Sequence, residues 1–257
     1  WGLSEYFVRR RRMVAPAIAL SILWAMNASA GLSAQLAEPF MVAQADYSSL
    51  LLPIGLTTVA IALYWLRFRV PFAMALIALG VFALSLMMGA IRMGTPANVS
   101  DFFLLSASGP FAWITLLVGL VVFAVAMFFD MSDPHRVTRR SAQGFWLHVV
   151  AAPALVNTLA LSLLESGTGN AYLLLLAVLL LFAAVAIIID RRSFLIAAIA
   201  YSVTLAGTVF GGDGAATTVL VLGIFLVTLG AFWTPIRAAL LSPLARVLPL
   251  DRLPPSH

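Results

Sequence analysis

Apolar stretches of about twenty residues, each closed by polar or basic punctuation, recur along the whole of this 257-residue chain. That is the length a helix needs to cross roughly 30 Å of hydrocarbon. Hydrophobic residues fill 63% of the positions and charged residues 10%, against roughly 45–50% and about 25% in soluble globular domains. No compact soluble core can hide that excess, so the solvent for most side chains must be lipid. The expected fold is all-α: a polytopic transmembrane helical bundle forming a single domain.

Reading the apolar runs between punctuation gives eight spans. They are Met13–Ala30, Ser49–Leu66, Val70–Ile91, Gly109–Phe129, Phe145–Leu164, Ala171–Ile189, Phe194–Phe210 and Ala215–Ile236. The first and seventh are short, so seven spans is the competing count. Arginine then gives the orientation, because cytoplasmic loops carry the excess of basic residues. With residues 1–12 cytoplasmic, fourteen of the fifteen arginines fall on the cytoplasmic side and only Arg92 on the other. Both ends are therefore expected in the cytoplasm of a bacterial-type inner membrane. Residues 237–257 read as an amphipathic cytoplasmic tail on the membrane surface.

The first span has a rival reading. Arg9 to Arg12, an apolar run and Ala28-Ser29-Ala30 resemble a secretory signal peptide with a small-residue cleavage site, although the chain continues through that site uncleaved. Residues 31–47 read as an interfacial segment, partly helical. A translated chain starts with Met, so a first residue of Trp1 leads us to expect a further region before it.

The net charge of +5 and a pI near 10.4 would suggest nucleic acid in a soluble protein. Here the basic residues sit at span ends, where they meet anionic headgroups. The expected partners are membrane lipids on the cytoplasmic side and other membrane subunits, not nucleic acid. Cysteine is absent, which excludes disulfides and thiolate chemistry.

A faint repeat links two cytoplasmic turns. Ala124-Val125-Ala126, three residues and Asp130 recur as Ala184-Val185-Ala186, three residues and Asp190. A basic turn and an aromatic opening, Phe145 or Phe194, follow each. Chance similarity between Ala/Val/Leu-rich helices competes with true duplication here. The turn after the first copy runs Asp130-Met131-Ser132-Asp133-Pro134-His135-Arg136-Val137-Thr138-Arg139-Arg140-Ser141. Asp133 before Pro134 reads as a helix start, so a short surface helix presenting Arg136, Arg139 and Arg140 to headgroups is expected.

This turn, with Phe145-Trp146-Leu147-His148 and Ala151-Ala152-Pro153, resembles a family of uncharacterised polytopic inner-membrane proteins of proteobacteria. The C-terminal pattern is similar to theirs as well: Leu222-Gly223, Leu229-Gly230, Trp233, Pro235, Arg237, Leu248-Pro249 and Leu253-Pro254-Pro255. The resemblance covers residues 109–255. It implies a multi-helix membrane fold with no known activity, and a longer N-terminal region.

Ionisable residues inside spans are functional candidates by default, and few are present. His148 falls near the cytoplasmic face, where an interfacial imidazole competes with a proton relay. Asn157, nine residues on, points about 180° away on a helix. Asn27 could bond another helix. Pro153 and Pro235 can kink their helices, and Gly119, Gly207, Gly223 and Gly230 read as close helix contacts. Arg136, Arg139, Arg140, Arg191 and Arg192 are candidate contacts for a partner or for lipid headgroups. His148, Pro153, Asn157, Tyr201 and Pro235 are candidate intramembrane polar or kink sites.

No zinc helix, nucleophile elbow or P-loop is present, and three scattered histidines make no metal site. No enzyme, cofactor or metal is expected. The favoured function is a non-catalytic accessory or structural subunit of a membrane complex. The alternative is a small-solute or lipid-like transporter without ion-coupling carboxylates.

Overall fold

The computed structural model describes residues 1–39, 46–95, 98–102, 109–166, 170–191, 220, 223–224, 227–244 and 254. Among these the chain is all-helical, with no strands. The long helices are α1 (Val14–Leu36), α2 (Leu51–Phe68), α3 (Ala73–Met93), α4 (Pro110–Met131), α5 (Arg139–Glu165), α6 (Ala171–Ile188) and α7 (Trp233–Leu244). Helices α1 to α5, with a 3-10 turn from Ser48 leading into α2, are long and apolar enough to cross a membrane.

The boundaries follow local chemistry. Helix α2 ends where Arg69 adopts a left-handed backbone (φ 52°) and its N–H bonds the Trp65 carbonyl at 2.7 Å. Pro71 follows, and a proline so soon after the cap cannot continue the helix. Helix α4 starts on Pro110, whose missing N–H costs nothing in the first turn. Helix α5 starts at Arg139, where the Thr138 hydroxyl accepts from the Arg140 N–H.

Consecutive helices pack side by side from α1 to α6, α3 also touches α5, and α7 lies against α6. Small residues let them approach: Ala112, Ala126, Ala151, Ala152, Ala160 and Ala186 are fully buried. Gly119 meets Leu155 of α5, whose Cδ2 lies 3.1 Å from where a Cβ would be. The outer wall is apolar. On α4, Leu117, Leu120, Val121 and Phe128 are each more than half exposed. An exterior more apolar than the interior needs is what a lipid solvent permits, and these helices fit a membrane protein.

Several expectations are corrected. Helix α1 runs through Ala28-Ser29-Ala30 to Leu36, absorbing part of the segment read as interfacial. Residues 1–12, read as a cytoplasmic start, are folded onto the bundle. Gly2–Ser4 and a π-helix, Glu5–Arg10, pack against α1 and α2. There Trp1 stacks edge-on with Trp24 and Phe68, Ser4 bonds the Tyr64 hydroxyl at 3.0 Å, and Val8 is buried.

No helix starts at Pro134. The α5 helix begins at Arg139, six residues before the expected span, and takes in Arg139 and Arg140 of the stretch read as a separate surface helix, while Arg136 stays in the turn before it. Asn27 bonds the Leu23 carbonyl of its own helix at 2.7 Å, not a neighbour. Among the described residues, nothing lies within 4 Å of a Cβ built at Gly223 or Gly230. The seventh span, residues 215–219, 221–222 and 225–226 of the eighth, Gly207 and most of the tail lie outside the described residues.

A buried ion-pair cluster as candidate functional site

Asp130 sits in the last turn of α4, and its carboxylate is turned into the bundle. Across from it, Ser141, Gly144 and His148 occupy one face of α5, at spacings of three and four residues. Arg191, just beyond α6, completes the group. All four polar side chains are buried, and His148 has 0% exposure.

The contacts leave the carboxylate fully engaged. Arg191 forks onto Asp130, with Nε donating to Oδ2 at 2.9 Å and Nη2 donating to Oδ1. His148 Nε2 lies 2.9 Å from the same Oδ2. An ionised carboxylate can only accept, so this histidine nitrogen carries the proton and donates. Arg191 Nη2 also donates to the Ser141 carbonyl at 2.8 Å and to its hydroxyl at 3.2 Å. Bidentate arginine–carboxylate pairs are the strong, orientation-specific kind.

Gly144 makes the approach possible. A Cβ there would collide with Asp130 Oδ1 and stand 3.1 Å from the Ala126 carbonyl. Phe123 closes the far side, its ring edge-on to the imidazole at 5.4 Å.

A second pair mirrors the first. Asp190 follows α6 in a left-handed conformation (φ 55°), which aspartate tolerates better than most residues. Its N–H bonds the Ile187 carbonyl at 3.2 Å, and the Arg191 N–H reaches the Ala186 carbonyl at 2.8 Å. These are the two bonds of a Schellman cap. The Asp190 carboxylate takes Arg136 at 2.8 Å and the Trp233 indole N–H at 2.7 Å.

Two arginines finish the end of α6. Arg136 donates to the carbonyls of Ile189 and Asp190, and Arg237 to those of Ile187 and Ile188. Carbonyls that a helix end would leave unpartnered are thereby satisfied by cations that also suit its negative pole.

The two copies of the sequence repeat are thus bound to each other. The aspartate of the first copy holds the arginine after the second, and the aspartate of the second holds an arginine after the first.

Asp133 secures the turn between them. Its carboxylate accepts from the Val137 N–H at 3.0 Å, the Thr138 N–H at 2.8 Å and the Thr138 hydroxyl at 2.7 Å. Burial pushes its carboxyl up, but the Thr138 and Val137 donors outweigh this and hold it below the ordinary aspartate value.

The sequence-derived sites are redistributed. Arg191 does not face headgroups; it is buried on Asp130. Arg136 is only partly exposed and spans the Asp190 turn. Arg139 and Arg140 are exposed, while Arg192 and Tyr201 lie outside the described residues. His148 is not interfacial but buried. Asn157 is partly exposed, and Pro153 is exposed within an unbroken α5. Pro235 occupies the first turn of α7, and the preceding helical stretch breaks at Phe232. Arg237, expected to open a surface tail, is buried and also donates to the Pro254 carbonyl at 2.6 Å.

Sequence reasoning noted Asp130 and Asp190 in the repeat but assigned neither them nor Ser141 to a site. The available signal was a carboxylate placed at an apolar span end twice, each time followed by arginine.

The cluster's chemistry is that of a clamp. The Asp130 carboxylate is already bound by a guanidinium and an imidazole. Compared with known proteins, the chain matches no protein family, no curated protein and no solved structure.

Proposed function

We propose that this chain is a non-catalytic accessory or structural subunit of a membrane complex. In this reading it crosses a bacterial-type inner membrane eight times, with both ends in the cytoplasm. The single observation that carries the reading is the engagement of Asp130. Its two oxygens accept three hydrogen bonds from Arg191 and His148, so the charge buried in the bundle is spent on joining α4, α5 and the end of α6. Buried threonines inside the spans are likewise turned to backbone carbonyls: Thr58 bonds Ile54, Thr158 bonds Ala154 and Thr115 bonds Phe102. The basic turns Arg67–Arg69, Arg136–Arg140 and Arg191–Arg192 support the cytoplasmic orientation. The resemblance to uncharacterised proteobacterial inner-membrane proteins belongs to the same reading.

Purification of the whole chain in a gentle detergent tests it. Stoichiometric co-migration with the same membrane proteins in independent preparations is expected. A lone monomer, with cross-linking in the native membrane finding no neighbour, would overturn the subunit role.

One observation favours the second reading, a small-solute or lipid-like transporter. The reciprocal Asp130–Arg191 and Asp190–Arg136 pairs join two repeated turns at one end of the bundle, where breaking and remaking them would open and close that end. Parallel repeats occur in some transporters. Faster solute efflux from vesicles carrying the Asp130→Asn variant than from those with the native chain would support this reading over the first.

A further inference from the structure

A cavity of about 290 Å³ opens at the arginine-bearing end of the bundle, between the N-terminal segment, α1, the turn from α2 to α3 and the first turns of α5. Its floor is apolar and aromatic. Phe68 is buried in it, and Phe72 and Trp146 meet edge-to-face with centroids 4.7 Å apart. Its rim carries Arg12, Arg69 and Arg139, all exposed.

Like Arg10, Arg11 and Arg140, these three arginines carry no ion pair among the described residues, but they alone line the cavity together. Arg9 and Arg67 share Glu5, Arg136 holds Asp190 and Arg191 holds Asp130. Among the described residues, no carboxylate pairs with Arg12, Arg69 or Arg139. Two of them stand on left-handed backbone, Arg12 at φ 53° and Arg69 at φ 52°, a conformation that costs a non-glycine residue free energy. The Arg69 guanidinium is set over the Trp65 ring at 4.8 Å. Three cations without carboxylates, gathered around an apolar hollow, match a molecule that is anionic at one end and hydrocarbon at the other.

We propose that this cavity binds an anionic phospholipid, with its phosphate against Arg12, Arg69 and Arg139 and the start of an acyl chain between Phe68, Phe72 and Trp146. Arginine suits phosphate through paired, charge-assisted hydrogen bonds. General attraction of a basic surface to anionic lipid needs no hollow; the apolar floor is what makes this a site for one lipid. The assignment is independent of the Asp130 cluster and of whether the chain is a subunit or a transporter.

The test uses the full chain in vesicles of phosphatidylcholine containing a minor share of acyl-brominated lipid, which quenches tryptophan on contact. The contribution of Trp146 is isolated by difference against Trp146→Phe. Brominated phosphatidylglycerol is expected to quench Trp146 severalfold more than brominated phosphatidylcholine at equal share. The combined Arg12→Gln, Arg69→Gln and Arg139→Gln variant should lose that preference. Ala142→Phe, which keeps the arginines and fills the hollow, should lower quenching by both lipids.

Equal quenching by the two lipids, or an undiminished preference in the triple variant, overturns the proposal. Should the triple variant fail to fold, Ala142→Phe decides: unchanged quenching there also overturns it. Thermal stabilisation by inorganic phosphate equal to that by phosphatidylglycerol would make this a free-anion site and sink the lipid assignment.

Discussion

Arg136 and Asp190 meet across 54 residues of sequence, and both hold left-handed backbone at the point where they join. Each residue closes its own turn, so the ion pair fixes two strained turns to each other as well as two charges. Backbone and charge can be separated by substitution. Asp190→Asn keeps the tolerance for left-handed φ and removes the charge; Asp190→Ala removes both. Because the pair is partly exposed, the asparagine variant is expected to cost about 1 kcal/mol. Alanine should cost about 1–2 kcal/mol more, from the left-handed penalty. Unfolding in mixed detergent, followed by tryptophan fluorescence, measures both. Equal costs would show that the left-handed turn contributes nothing.

Removing the carboxylate of Asp130 strands a buried guanidinium. Asp130→Ala is expected to destabilise the bundle by about 3–5 kcal/mol, as breaking a buried pair from one side does. The double variant Asp130→Ala with Arg191→Met should recover a large part of that loss, because it leaves no uncompensated charge. The readout is again the unfolding midpoint in detergent. A double variant as unstable as the sum of two singles would mean that the pair is not coupled as the geometry requires.

The contrast between Asp130 and the helices around it explains what sequence alone could and could not reveal. The spans were legible because lipid exposure imposes one rule on every residue between Ala73 and Met93 or between Pro110 and Met131: be apolar for about twenty positions. The opening of the fourth span, expected at Gly109 and found at Pro110, left a local trace of the same kind. The cluster left almost none. Arg191 and Arg136 look alike in sequence, since both are basic residues in a cytoplasmic-type turn. What sends Arg191 inward is a partner 61 residues earlier and the absent side chain of Gly144. Such pairings depend on how helices are rotated about their axes, and periodicity in uniformly apolar helices scarcely encodes rotation. Arg237 was misread for the same reason: nothing near it in sequence marks the end of α6 as its target.

Gly144 and Gly31 offer a matched comparison on two helices. A methyl group at Gly144 meets Asp130 Oδ1 and the Ala126 carbonyl, neither of which can retreat without breaking the cluster. Gly144→Ala should therefore destabilise by about 1–3 kcal/mol, the range for overpacking a filled site. Among the described residues, nothing lies within 4 Å of the same atom at Gly31. There alanine should be neutral or stabilising by up to about 1 kcal/mol, through helix propensity. If both variants behaved alike, the close approach of α5 to α4 at Asp130 would be wrong.

Acid should act on the turn before α5 through Asp133. Its folded-state carboxyl titrates below the ordinary aspartate value of 3.8, because the Thr138 and Val137 donors bind the charged form. A depressed carboxyl contributes stability that is complete above its unfolded-state value and is lost as pH falls through the folded-state one. Asp133→Asn keeps the size of the side chain, removes the charge and turns one accepting oxygen into an amide that cannot accept, so it should cost about 1 kcal/mol near neutrality, the scale of a lost hydrogen bond. The difference between native chain and variant should stay constant down to about pH 4 and shrink towards zero below it. Unfolding midpoints of the two proteins, measured together from neutral pH to about pH 3, give that difference directly. A gap that persists undiminished in acid would assign the Asp133 contribution to shape alone, with its charge playing no part.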